Sequence, residues 1–494
     1  MIIALDIGTT NLKAGLYHID GTQVESFVVP MHQEVDDYQI SFFSASKLWE
    51  NVAQLIRDLA EKSPSGVSAI SIASMAESGL MLNEESGRPI TEILPWFETA
   101  SLKQAKLIEN EIDMEEQFFR TGLHVSYKFG LSKLLWLKEK EPSLFEQKVK
   151  WMSVSSYIAY CLTNSIVEEE SLAVRTYAYD IKKQGWNEDL ILHMGLQPSL
   201  FPDVQHCTKP VGEVLSEHSR LGIHSETKVY IAGHDHLVAS LSIGELTPER
   251  IYNSIGTAET MVGVFPKRDL TRDDRNSGLT FGPHLLKDTY YWMGGHSSSG
   301  GSVEWLRDMI SDYRLTYGEV MALLEQTYEG PTGILFFPYL NGSGAPYPNP
   351  GATASFIGLT KKHGKKELLK AVFEGNAYQM ELIRRTAENV SDSKITKLIS
   401  VGGGVKNRHW LQLKSDISGI PIEVPRIDEA VSIGAVLIAA TGEGVYSSLE
   451  EAATTTYSKN TEIVSPNLDL NPRYRSLFED KFVKLRGILA GVDG

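Results

Sequence analysis

The sequence is short of cysteine, of basic charge and of long apolar runs, and each shortage removes a class of protein. Only Cys161 and Cys207 occur among 494 residues. Two distant cysteines exclude a disulfide framework and a cysteine-rich zinc module, and they fit a reducing, cytoplasmic setting. Forty-seven Lys and Arg face sixty-three Asp and Glu, a formal charge of −16, which argues against a nucleic-acid-binding surface. That balance leaves room for a phosphorylated ligand, because backbone amides and metal ions often hold phosphate. No targeting leader is expected, since Asp6 ends the first apolar run and no basic segment precedes it. The longest uncharged stretch, 331–360, is interrupted by Pro331, Pro338, Pro346, Pro348 and Pro350, so no membrane span is expected either.

What remains is an ordinary globular composition, 42% hydrophobic and 22% charged, long enough for two to four domains. Short apolar or alternating runs predict strands over 2–7, 12–19 and 24–31, with Asp20-Gly21 as a turn. Leu48, Val52, Leu55, Ile56 and Leu59 recur at helical spacing and predict an amphipathic helix over 46–62. A buried-type strand over 67–73 then runs into a loop at 74–79. This order implies a mixed sheet carrying helices, an α/β class. The chain also echoes itself. Residues 6–17 align without gaps on 254–265, each copy a strand, a Gly-Thr turn and a second strand with a further glycine. Residues 69–74 have a counterpart in 398–403. Two echoes in the same order indicate two related halves, 1–243 and 244–494.

Three motifs carry chemistry, each with a plain alternative. The turns Gly8-Thr9-Thr10-Asn11 and Gly256-Thr257 offer bare amides and hydroxyls suited to phosphate oxygens, or they are simple tight hairpins. Asp6, at the end of the first strand, places a carboxylate where a phosphate-bound Mg²⁺ needs one. Gly402-Gly403-Gly404 admits a flat ligand close to the backbone, or only a sharp turn into a helix over 410–417. It is not a dinucleotide fingerprint, because Asn407 fills the last glycine position. In Gly233-His234-Asp235-His236, the acid in a loop is a general base, a helix cap or a metal ligand. A P-loop fails at Gly364-Lys365, no His-Glu-x-x-His occurs, and Ser297, Ser298 and Ser299 lack the hydrolase elbow.

Taken together, these blocks resemble the FGGY carbohydrate kinases of the actin-like ATPase superfamily, over essentially the whole chain and in the family order. The resemblance implies two ribonuclease H-like domains around a central cleft, with sugar and base in the first and nucleotide in the second. Asp6 to Asn11 is similar to the first phosphate motif, Gly256-Thr257 to the second, and Gly402 to Asn407 to the adenosine motif. The segments 299–306, Leu340-Asn341-Gly342 and 429–435 fill further family blocks. The resemblance therefore implies ATP contacts at Gly8, Thr9, Thr10, Asn11, Gly256, Thr257, Gly300, Gly403, Gly404 and Asn407. It places Mg²⁺ near Asp6 and Asp235, and it makes Asp235 the catalytic base, an exposed acid near its ordinary pKa of about 3.9.

The substrate contacts implied are Met75, Ala76, Glu77, Trp96, His234 and His236. Xylulose-type kinases show Met-His in the 74–78 loop and glycerol kinases Arg-Glu; here Glu77 matches the acid and Ala76 neither partner. Trp96 matches the tryptophan that flanks the substrate in both groups. The expected reaction is phosphorylation of a small neutral ketose or polyol. Glu77 would repel a sugar acid unless His234 and His236 offset it, which makes a gluconate-type kinase the second expectation. An actin-like ATP-binding regulator without transfer activity, or a hydrolase, would be the different class. A homodimer is compatible with the resemblance; nucleic-acid and membrane partners are not expected. The chain departs from the pattern at Ser343-Gly344, where the family commonly has Glu-Arg, and at His236, where relatives use Asn or Gln.

Overall fold

The computed structural model describes residues 1–327, 329–457 and 460–489. Its first half builds on β1 (Ile2–Ile7), β2 (Asn11–Tyr17) and β3 (Gln23–Pro30), then α1 (Ala45–Ala60) and β4 (Ala69–Ser74). Further on come β5 (Gly212–Glu213), β6 (Lys228–His234) and α2 (Asp235–Ser240). Every residue of β1 and β4 is buried, as unbroken apolar runs require when both sheet faces are covered. On one face lies α1, through Leu48, Val52, Leu55, Ile56 and Leu59. The strand order is β5-β6-β4-β1-β2-β3. β6, β4 and β1 run parallel, and the β1-β2-β3 meander is antiparallel.

In the second half, β7 (Arg250–Ile255), β8 (Glu259–Pro266), β9 (Thr280–Pro283) and β10 (Thr289–His296) precede α3 (Gly300–Met309). The long α4 (Lys365–Ser391) leads to β11 (Lys397–Val401), α5 (Arg408–Ser418), β12 (Ile422–Pro425), α6 (Ala430–Gly442) and β13 (Thr461–Val464). The sheet order is β9-β10-β8-β7-β11-β12-β13. Its β10-β8-β7-β11-β12 core repeats the β3-β2-β1-β4-β6 arrangement of the first half, directions included. The internal echo is therefore a repeat of topology, and the fold is two α/β domains.

The gapless alignment needs correction. Ile7 pairs with Leu12 across the first turn, whereas Ile255 pairs with Glu259 across the second, so the second turn is one residue shorter. By the same registers Ala73 corresponds to Val401 rather than to Gly402. A glycine at a similar offset does not fix strand register, and one residue of slip sends each side chain to the other face.

Between the sheets lies a third core. It joins Ile2, Ala4, Ala69 and Tyr230 of the first sheet to Tyr252, Val262 and Ile399 of the second through the apolar helices α2 and α6. The two helices touch so closely that a Cβ on Gly434 would lie 1.9 Å from the Val238 carbonyl oxygen. Among the described residues no helix is long and apolar enough to cross a membrane.

Candidate active site

The carboxyl ends of β1, β4 and β6 lie side by side and carry Asp6, Ser74 and His234-Asp235. Between Ile231 and Gly233 the β6 strand holds one residue more than its partner β4. This bulge bends the strand end and re-aims the residues beyond it. Gly233 takes φ +114°, and a Cβ there would strike Ser171 Oγ and Glu169 Oε2, so only glycine fits. Beneath the bend the Ser171 hydroxyl donates to buried Glu169, while Ser171 Oγ accepts the His234 backbone N–H at 2.9 Å.

Asp235 thus opens α2 rather than sitting in a loop, and its Oδ1 accepts the His236 backbone N–H at 2.7 Å. Its one ion-pair-range neighbour among the described residues is the His234 ring, 3.4 Å away. The sequence-based expectation of an ordinary exposed acid does not hold. Burial pushes Asp235 up to about 7; Glu77 adds to this, and the His236 N–H and Arg175 oppose it. Asp6 is also raised to about 7, by burial first and then by the charge of Asp235. Lys13, opposite Asp6 across β1 and β2, counters part of this but is bound 2.6 Å from Glu429. The imidazoles bring no positive charge. Burial and Arg175 hold His234 well below its usual range, and burial brings His236 down to about 4.

The loop after β4 is pinned from below. Met75 and Ala76 are buried in the first-domain core. Glu77 takes a left-handed φ of +58°, uncommon for a residue with a side chain. Its Oε1 accepts from Arg175 Nε at 2.7 Å and from the Arg175 terminal nitrogen. Lys133, buried, donates to the carbonyls of Glu77 (2.6 Å), Pro95 (2.9 Å) and Leu94 (3.3 Å), and burial lowers it to about 7. One lysine therefore ties the Glu77 loop to the Trp96 loop. Trp96 is half-buried, with Lys128 Nζ 5.0 Å above its ring. Trp96 Nε1 donates to Thr9 Oγ1 at 2.9 Å, and the Thr9 hydroxyl points to Met75 Sδ at 3.6 Å.

Across the cleft the Gly256-Thr257-Ala258 turn is exposed at its tip. It is tied to the start of α3, where Gly300 N donates to Gly256 O and Gly301 N to Thr257 O, both at 3.0 Å. Below it Glu259 and Lys414 form a buried ion pair at 2.7 Å, joined by Ser299 Oγ at 2.9 Å. Burial works against the Glu259 charge, but Lys414 and His296 outweigh it and hold the carboxyl at about 2. Gly402 takes φ +92° and its Cβ would meet Ile255 O at 2.7 Å, while Gly403 faces open space. The glycines make a floor that a flat group can approach. Asn407 Oδ1 caps α5, accepting Trp410 N at 3.0 Å. The departure at Ser343-Gly344 also has a steric reason. A Cβ on Gly344 would lie 2.1 Å from Gly295 O, so this loop packs by backbone, with Ala345 N donating to Gly295 O at 2.9 Å.

Sequence reasoning missed Arg175, Lys133, Lys128, Lys13 and the Glu259–Lys414 pair. Glu77 and Arg175 are 98 positions apart, Lys13 and Glu429 416. Lys133 left the clearest trace, a lysine on the apolar face of Leu131, Leu134 and Leu137.

Comparison with known proteins agrees with this geometry. Residues 1–242 match the N-terminal domain of the FGGY family of carbohydrate kinases and residues 251–443 its C-terminal domain. The chain is 28% identical to a xylulose kinase of Staphylococcus epidermidis, covering 99% of this chain and 98% of that one. It is 26% identical to a gluconokinase of Bacillus subtilis, covering 96% and 94%. A crystal structure of gluconate kinase from Lactobacillus acidophilus superposes with a TM-score of 0.92 at 24% identity, covering 100% of this chain and 99% of that one. Two matched domains that span most of its length decide the assignment: the chain belongs to the FGGY family of carbohydrate kinases, ATP-dependent phosphotransferases acting on sugars or sugar acids.

Proposed function

We propose that this enzyme transfers the γ-phosphoryl group of ATP to a hydroxyl of a small neutral ketose or polyol, with Asp235 as general base. The observation that carries the reading is Asp235 itself, a carboxyl at the end of β6 with no Lys or Arg ion-pair partner among the described residues, raised to about 7. A base is most effective when its pKa lies near the working pH. Asp235 takes the hydroxyl proton as the oxygen attacks phosphorus and ADP leaves. Residues 1–243 hold the sugar and residues 244–494 the nucleotide.

Phosphate falls to Gly8, Thr9, Thr10 and Asn11 on one side and to Gly256, Thr257 and Gly300 on the other. Adenosine lies along Gly403, Gly404 and Asn407. The Asp6 and Asp235 carboxyls suit Mg²⁺, which usually takes one or two carboxylates beside phosphate and water. The charge of Asp235 helps to raise Asp6, and a divalent ion beside both carboxyls would relieve that. Bound there, Mg²⁺ neutralises phosphate oxygens; the remaining work of orientation belongs to the protein.

Neutral substrates are favoured because His234 and His236 are held neutral and supply no charge for a sugar acid, and they suit hydroxyls. Arg175, by pairing with Glu77, lessens the repulsion expected of that carboxylate. One observation favours a gluconate-type acid instead: Lys128 lies over Trp96 without a carboxylate partner among the described residues. Measuring ADP release across ketoses, polyols and aldonates separates the two. The neutral reading predicts at least tenfold stimulation by a ketose or polyol; stimulation by aldonates alone selects the acid reading.

A further inference from the structure

We propose that Trp96 is a positioning residue for the nucleotide: through its indole N–H it aims the Thr9 hydroxyl proton at phosphate, coupling the sugar wall to the phosphate turn. This rests on the reading of Thr9 as a phosphate contact and of Trp96 as a sugar wall.

A threonine hydroxyl has one proton to give and two lone pairs to receive with. Trp96 Nε1, which can only donate, fills one lone pair of Thr9 Oγ1 at 2.9 Å. The Thr9 proton is left with Met75 Sδ at 3.6 Å, a weak acceptor that an anionic phosphate oxygen displaces. The indole is itself fixed on two sides. Its backbone N–H donates to Ser78 Oγ at 3.0 Å, and Lys133 holds the Pro95 carbonyl before it at 2.9 Å. Phe97 meets its ring edge-on at 5.5 Å. The Thr9 side is equally constrained, because Gly8 N donates to Asn11 O at 3.0 Å and Met75 N to Ile7 O at 2.9 Å. Both ends of the bond are therefore anchored in β1, β2 and the loops after β4. A sugar that shifts the indole shifts the hydroxyl that meets phosphate, and by linkage bound nucleotide must feel the sugar in turn.

The test is a double-mutant cycle on the full chain, read by calorimetric titration with Mg·AMP-PNP. Trp96→Phe keeps an aromatic wall and deletes the donor. It should weaken Mg·AMP-PNP, titrated without sugar, about fivefold, the worth of one neutral hydrogen bond. Thr9→Val should weaken Mg·AMP-PNP by at least as much, and the double variant no further. Thr9→Ser, which keeps the hydroxyl, should bind within twofold of wild type, and Thr9→Ala, which deletes it in a smaller side chain, takes the place of Thr9→Val in the cycle if that variant fails to fold. Effects that multiply in the double variant, or a Trp96→Phe change confined to sugar KM, overturn the coupling. If Thr9→Val folds and binds Mg·AMP-PNP like wild type, the phosphate assignment of Thr9 falls, and the coupling with it.

Discussion

Asp235 and Asp6 hold protons at a pH where most carboxyls have lost them. Asp235 must be ionised to act as a base, so the free enzyme gains activity as pH rises through its folded pKa. The expected profile of kcat/KM for the sugar climbs to a plateau with an apparent pKa above the ordinary carboxylate value of about 3.9 and no higher than about 7, because the Mg²⁺ that accompanies the nucleotide favours the ionised carboxyl. An ordinary carboxylate would leave the rate flat from about pH 5 upward. The same shift sets the sign of the stability change. Both folded pKa values lie above the usual 3.8, so the native state binds more protons than the unfolded one. The contribution of these two carboxyls to stability without Mg²⁺ and nucleotide should fall as pH rises from about 4 to about 7, measurable as a gap in urea midpoint between wild type and an Asp6→Asn/Asp235→Asn variant that changes over that range, while the lowered His234 and His236 shape the remaining curve in both proteins.

At this scale the sequence was readable where chemistry sits next to chemistry along the chain. Asp235, Asp6 and the Gly-Thr turns all stand out locally. The environment of each did not, because it is assembled from afar. Arg175 reaches Glu77 from 98 positions away, and burial, the main cause of the Asp235 shift, is a property of the packed cleft.

Among the elements, the contact between α2 and α6 governs how Asp235 is presented. Asp235 is the first residue of α2, and Gly434 lets α6 approach the carbonyl of Val238 on that helix. Gly434→Ala inserts a methyl group where the gap is 1.9 Å, so the helices must separate. A loss of about 1–3 kcal/mol is expected, seen as a lower Tm in thermal melts together with a reduced kcat. An unchanged melt would show that the two helices are not locked by this contact. Strands β1 to β4 of the first domain were legible from apolar runs and turn residues. Their registers were not, and the one-residue shift between the echoed halves shows why. The alternation of a strand tells two faces apart but does not count residues in a turn. The bulge at the end of β6 was invisible for a similar reason, since Ala232 looks like any small strand residue until its partner strand is known.

For the molecule as a whole, the two sheets enclose a shared core built on α2 and α6, and Asp235, the proposed base, is the first residue of α2. With a charge of −16 and with the Gly8, Gly256 and Gly300 amides engaged by backbone carbonyls, the proposed phosphate site would rely on threonine hydroxyls, the remaining turn amides and Mg²⁺. A sugar phosphotransferase with a carboxylate base is the function this arrangement supports, and one comparison tests it most directly. Sugar-dependent ADP release should be measured for wild type and Asp235→Asn, side by side, with Mg·AMP-PNP affinity as the folding control. Loss of about a hundredfold or more in kcat, typical for removal of a general base, with nucleotide affinity within about twofold of wild type, is the predicted result. Asp235→Asn turning over sugar within a few-fold of wild type would contradict it.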